Sequence, residues 1–187
     1  MRYEPKKIGK SPEIMCFACF LCAAVMVLAS NVRGIYGSGI MQGIAVAFLV
    51  AMIFFAVRYV FTSFRYEVVK RSKSEDAPVK SLAPEKLELR VARQQGKRAF
   101  VYENIINLGD IISFSELPEG KAGRRMIKAA GSGFLFKYKK NLAGGKCWLL
   151  VAKGEEKNIR IVLEINDDGV SLSDYLSAVA RFNCENK

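Results

Sequence analysis

The stretch FFAVRYVFTSFRYEVVKRSK, residues 54–73, starts apolar, passes through aromatics interleaved with arginines, and ends as a basic run with strand character. Upstream of it the chain is suited to hydrocarbon. Ile35–Val57 is 23 residues without a charge, and Ile14–Ala29 is 16, extending to 19 at Val32 before Arg33. At 1.5 Å rise per residue the longer forms of these runs reach about 34 and 28 Å, against a hydrocarbon core of about 30 Å. Each predicts a membrane-spanning helix, 14–32 and 35–57. Downstream the charges return and the pattern changes period, so the chain divides into a basic N-terminus (1–13), a helical hairpin (14–57), a juxtamembrane segment with a first strand and loop (58–86), and a domain over 66–187.

The first run also has the marks of a signal peptide: Arg2, Lys6, Lys7 and Lys10 precede it, and Val27-Leu28-Ala29 could be cleaved. A retained helix is the better reading. A second span follows almost at once, and Ser11-Pro12-Glu13 supplies a capping hydroxyl, a proline for the first turn and an acid near the positive helix end. Four Lys/Arg precede the first span, one (Arg33) lies between the spans, and Arg58, Arg65, Lys70, Arg71 and Lys73 follow the second. This bias predicts that both ends are cytoplasmic at a plasma membrane. Tyr59, Phe61, Phe64 and Tyr66 are expected near the inner headgroups, with Arg58 and Arg65 reaching toward anionic lipid.

Gly39, Gly43, Ala47 and Ala51 recur every four residues on one face of the second span, a pattern that lets helices approach closely in lipid. Cys16, Cys19, Ala23 and Ser30 share one face of the first. Either the two stripes pack on each other, or the second serves a partner chain. Cys16-x2-Cys19-x2-Cys22 has cluster-like spacing, but it lies in an apolar helix and the chain has no histidine. No cofactor or metal is expected, and Cys147 and Cys184 in a cytoplasmic part imply no disulfide.

Residues 66–187 read as strands followed by a helix. Tyr66–Val69, Leu87–Val91, Ala99–Tyr102, Asp110–Phe114, Phe134–Lys139, Cys147–Ala152 and Ile159–Ile165 make about seven strands; Arg71–Lys86 reads as a loop, and Pro118–Gly133 has room for a short helix. After Asn166-Asp167-Asp168-Gly169 the period becomes helical at Leu172, Tyr175, Leu176, Val179 and Phe182, with Ser171 and Asp174 placed like a capping box. The expected fold is therefore a membrane-anchored α+β chain: two transmembrane helices, then a mainly antiparallel sandwich or barrel closed by a C-terminal amphipathic helix.

This order resembles the bacterial pleckstrin-homology-like domains of small membrane proteins. RYEVV directly after the membrane, NLGDIISFSEL at 107–117 and the closing helix GVSLSDYLSAVARF carry the likeness, over roughly 65–184. It implies a regulatory or scaffolding role at the inner face of the membrane, without catalysis.

The residues agree with that implication. The usual general base and triad partner is missing with histidine, no phosphate-binding glycine loop follows a strand, and the pairs Asp167-Asp168 and Glu155-Glu156 fall in turns. Residues 65–187 hold 23 Lys+Arg and 16 Asp+Glu, a net of +7. Lys70, Arg71 and Lys73 form one basic cluster; Lys121, Arg124, Arg125 and Lys128, at helical spacing, form a second. Both are candidates for anionic headgroups. Nucleic acid is disfavoured, because no binding motif accompanies the cations. The function expected is a membrane-anchored binding or regulatory module, with the bilayer and its acidic lipids as partners. The runner-up is a small subunit of an oligomeric channel or transport complex, with a second copy or another membrane protein as partner.

Overall fold

A computed structural model describes residues 1–31, 38–71, 83–141 and 144–186. The connection between the helices, most of the loop expected at 71–86, and Lys73 lie outside the described residues. The chain is α+β, in two compact units.

The first unit contains the apolar helices α1 (Ser11–Ser30) and α2 (Ser38–Phe55), the latter continued by a π-helical turn at Ala56–Val60. Pro12 opens α1 as expected, but Lys10 is the residue before the helix and Ser11 is already helical, so no side chain caps it. The face of α1 turned to α2 carries Cys19, Ala23 and Ser30, all buried, with Cys16 half-buried and its thiol 3.7 Å from Met52 O. On α2 the corresponding face runs through Met41, Ala45, Phe48 and Met52, with Ala45 the buried contact. Gly39 and Gly43 are elsewhere: a Cβ at either would meet nothing within 4 Å. Ala47 is exposed with them, and Ala51 is half-buried. Gly39, Gly43 and Ala47 thus lie off the α1 contact, which runs one helical face away.

The second unit, Met1–Lys7 with Ser63–Lys140 and Gly144–Lys187, holds two four-stranded sheets. The first sheet is β1 (Arg2–Tyr3), β2 (Thr62–Lys70), β3 (Leu87–Gln95) and β4 (Val101–Asn107), in that spatial order. The second contains β5 (Ile111–Leu117), β6 (Phe134–Tyr138), β7 (Cys147–Ala152) and β8 (Ile159–Glu164), ordered β5-β7-β8-β6. Period-2 alternation builds the first sheet's inner face: Phe64, Tyr66 and Val68 on β2, Leu87, Leu89 and Val91 on β3. These meet Phe114, Leu150, Ile161 and Leu163 of the second sheet in one core, which α4 (Val170–Glu185) completes with Leu172, Leu176 and Val179. The sheets do not close into a barrel.

β7 reads as an unbroken apolar run, and the centre of β8 (Ile161–Leu163) is apolar, because both faces are covered. Leu150 and Ile161 face the main core, while Leu149, Val151 and Val162 receive Met126 and Ile127 of the amphipathic helix α3 (Gly120–Ala129) and Ala130, which follows it. Two sequence expectations change. β6 lies parallel to β8, from Phe134↔Ile159 to Tyr138↔Leu163. Ser171 is not the cap of α4; Gly169 precedes the helix and no side chain caps it. Asn183 docks the other end of α4, donating to Leu108 O at 2.8 Å and Ile111 O at 3.0 Å.

Candidate functional site

The N-terminal residues, read in sequence as a basic tail, are part of the sheet. Arg2 and Tyr3 pair antiparallel with Glu67 and Tyr66, and Val68 N–H donates to Met1 O at 2.8 Å. Tyr3 is buried against Tyr66. Its hydroxyl donates to Asp168 Oδ1 at 2.9 Å and accepts from Asn166 N–H at 3.0 Å, and Lys6 pairs with Asp168 at 3.0 Å. Burial pushes the Tyr3 phenol up to about 12, while the Lys6 ammonium holds the Asp168 carboxyl below the usual carboxylate range. The start of the chain is thus latched to the turn that precedes α4. Two residues are too few to show a period, so the sequence carried no sign of β1 beyond a lone tyrosine among charges.

A buried polar cluster lies beside this latch. Tyr66 O–H donates to Tyr138 O at 2.6 Å and accepts from Glu164 N–H at 3.2 Å; Lys140 N–H donates to the buried Glu164 carboxylate at 2.7 Å. Burial raises the Tyr66 phenol well above its ordinary value and lowers the Lys140 ammonium, whose Nζ reaches Ser63 Oγ at 3.1 Å. These contacts join β2, β6 and β8, and every hydroxyl and carboxylate in them is engaged in holding strands. Among the described residues there is no group of His, Cys, Asp or Glu suited to a metal ion.

The predicted headgroup residues divide into two kinds. Arg58 ends in the π-helical turn, its guanidinium 5.6 Å from the Tyr59 ring centre. Arg65 is in β2, where it pairs with Glu4 at 2.7 Å and Glu67 at 3.7 Å and stacks over Phe100 at 3.6 Å. Its charge is answered within the domain because the strand begins at Thr62, earlier than the Tyr66 start read from sequence. Lys70 ends the same strand, and Arg71 lies 4.0 Å from Glu88. Lys121, Arg124, Arg125 and Lys128 differ. All four are exposed on α3, and none has an ion-pair partner among the described residues. The helix is set by Met126 and Ile127, which face the sheet and leave the cations outward.

Sequence reading missed the exposure of β6. Phe134 is 69% exposed, and Leu135 and Phe136 are 36% exposed, although the alternation FLFKY reads as an ordinary half-buried strand. Comparison with protein-family models, with curated proteins and with solved structures finds no match.

Proposed function

We propose that the chain is a two-span protein of the plasma membrane whose α+β unit is a pleckstrin-homology-like, non-catalytic binding or regulatory module at the cytoplasmic face. The observation that carries this reading is the pairing of β1 with β2. The chain leaves the first sheet after Tyr3 and rejoins it at β2, beside the strand it left, with α1 and α2 between. A segment that departs from and returns to one sheet crosses a bilayer an even number of times, and two apolar helices supply two crossings. Phe17, Phe20, Leu21 and Leu28 on α1, with Ile40, Val46, Val50 and Ile53 on α2, are exposed, an apolar surface suited to lipid rather than water. The cationic bias at both ends of the hairpin supports the cytoplasmic side.

Two sheets sharing a core with one C-terminal helix support the pleckstrin-homology-like reading. The unpaired cations of α3 support a lipid-surface role, at about 1 kcal/mol for each basic group near an anionic leaflet. Membranes washed with alkaline carbonate test the anchoring: the chain stays in the pellet, and its release would remove the reading. The second reading, a subunit of an oligomeric channel or transport complex, is supported by Gly39, Gly43 and Ala47 lying off the α1 contact, open to another helix. Mass photometry in detergent separates the two, a monomer or dimer supporting the module and a defined ring the subunit.

A further inference from the structure

We infer that β6 is a docking edge at which an extended, acidic segment of a partner protein adds as a further strand to the second sheet. β6 is the terminal strand of that sheet, with β8 on one side. Main-chain N–H and C=O groups along its other side are the groups that another strand would pair. Edge strands are ordinarily blunted by charge, proline or a covering element. Here the edge presents Phe134, Leu135 and Phe136, three consecutive apolar residues, so that both faces of the pleat carry exposed apolar side chains. A strand seated there gains main-chain hydrogen bonds and apolar neighbours on both faces.

The edge is held in place before any partner arrives. Arg160 donates through Nη1 to Ile127 O at 2.8 Å and through Nη2 to Gly133 O, tying the end of α3 to the residue before the strand. Gly133 passes so close to the carbonyl of Asn158 that a Cβ there would collide with it. At the other end Tyr138 is buried, and its carbonyl accepts from Tyr66. Such a strand surrenders little freedom on docking.

Charge and position select the occupant. Lys139 follows the strand, and α3, which leads into it, carries four cations with no ion-pair partner among the described residues. A second copy would bring the same cations against them, whereas an acidic segment matches them. A lipid surface offers no strand to pair with the main-chain groups of the edge.

The test uses the full chain in phosphatidylcholine nanodiscs and a synthetic peptide alternating valine with glutamate, against a valine–lysine control. Hydrogen exchange across 131–140 is followed by mass spectrometry. The acidic peptide slows exchange at alternate amides of 134–138 about tenfold or more, and the basic peptide does not. Phe134→Ser with Leu135→Ser removes the protection while melting like the parent, because both side chains are exposed. No protection at the highest soluble peptide concentration, or equal protection by both peptides, overturns the proposal. So does protection that appears without peptide on raising the protein concentration, which points to a second copy, or on adding phosphatidylglycerol, which points to lipid. None of these outcomes depends on how the helices cross the membrane.

Discussion

Tyr3 joins the start of the chain to the turn before α4 through two hydrogen bonds and a buried ring. Tyr3→Phe keeps the ring and loses both bonds, at about 1 kcal/mol each, so a urea titration should show about 2 kcal/mol less stability. The pH dependence has a defined sign. The phenol titrates at about 12 in the fold and about 10 unfolded, so its contribution is complete below about pH 10 and is lost as pH rises from there toward 12. Tyr3→Phe should therefore flatten the alkaline limb of the stability curve, leaving the part due to Tyr66. Asp168 acts in the opposite direction: its lowered carboxyl contributes above the ordinary carboxylate range and is lost as pH falls through its folded value. An alkaline limb identical in parent and variant would remove the latch from the account.

At the scale of elements, the helix pair separates what small residues permit from what they do. Uncharged runs long enough for lipid made α1 and α2 legible, and small residues marked the faces where close approach is allowed. They did not show which face is used. Ala45, not Gly43, is in the contact, because Met41, Phe48 and Met52 flank it with enough surface to bury. Ala45→Leu should separate the helices and abolish disulfide crosslinking between cysteines placed on their facing sides, while Gly43→Leu should leave that crosslink intact. Equal loss in both would return the glycine stripe to the hairpin interface. The strands were legible wherever alternation or a buried run lasted five residues or more. Partner identity was not, since the period of β6 is the same whether it lies parallel to β8 or beside any other strand, and a two-residue β1 has no period at all.

At the scale of the whole chain, the division into an apolar hairpin and a strand-rich unit was readable from charge alone, but the membership of residues 1–7 in that unit was not. That membership depends on contacts more than 60 residues distant in sequence, such as Tyr3 with Asn166, which no local pattern encodes. Of the candidate site, the α3 cations were legible from their helical spacing, whereas the partners of Arg65, Glu4 and Phe100, were not, because the sheet brings them to it. If α3 meets anionic lipid, hydrogen exchange in Gly120–Ala129 should slow when phosphatidylglycerol is added to nanodiscs holding the full chain. Replacing Lys121, Arg124, Arg125 and Lys128 with glutamine should abolish that slowing without moving the melting temperature, since exposed charges contribute little to stability. Slowing that persists in the quadruple variant would make the basic face ordinary solvated surface.

The central claim is that the two apolar helices leave and return to one side, with the strand-rich unit in the cytoplasm. Cysteine accessibility in intact cells tests it most directly, on a background in which the five native cysteines are replaced. A membrane-impermeant maleimide should label Tyr36→Cys from outside, and should label Lys121→Cys only after permeabilisation. Labelling of Lys121→Cys in intact cells, or protection of Tyr36→Cys until the membrane is opened, would contradict it.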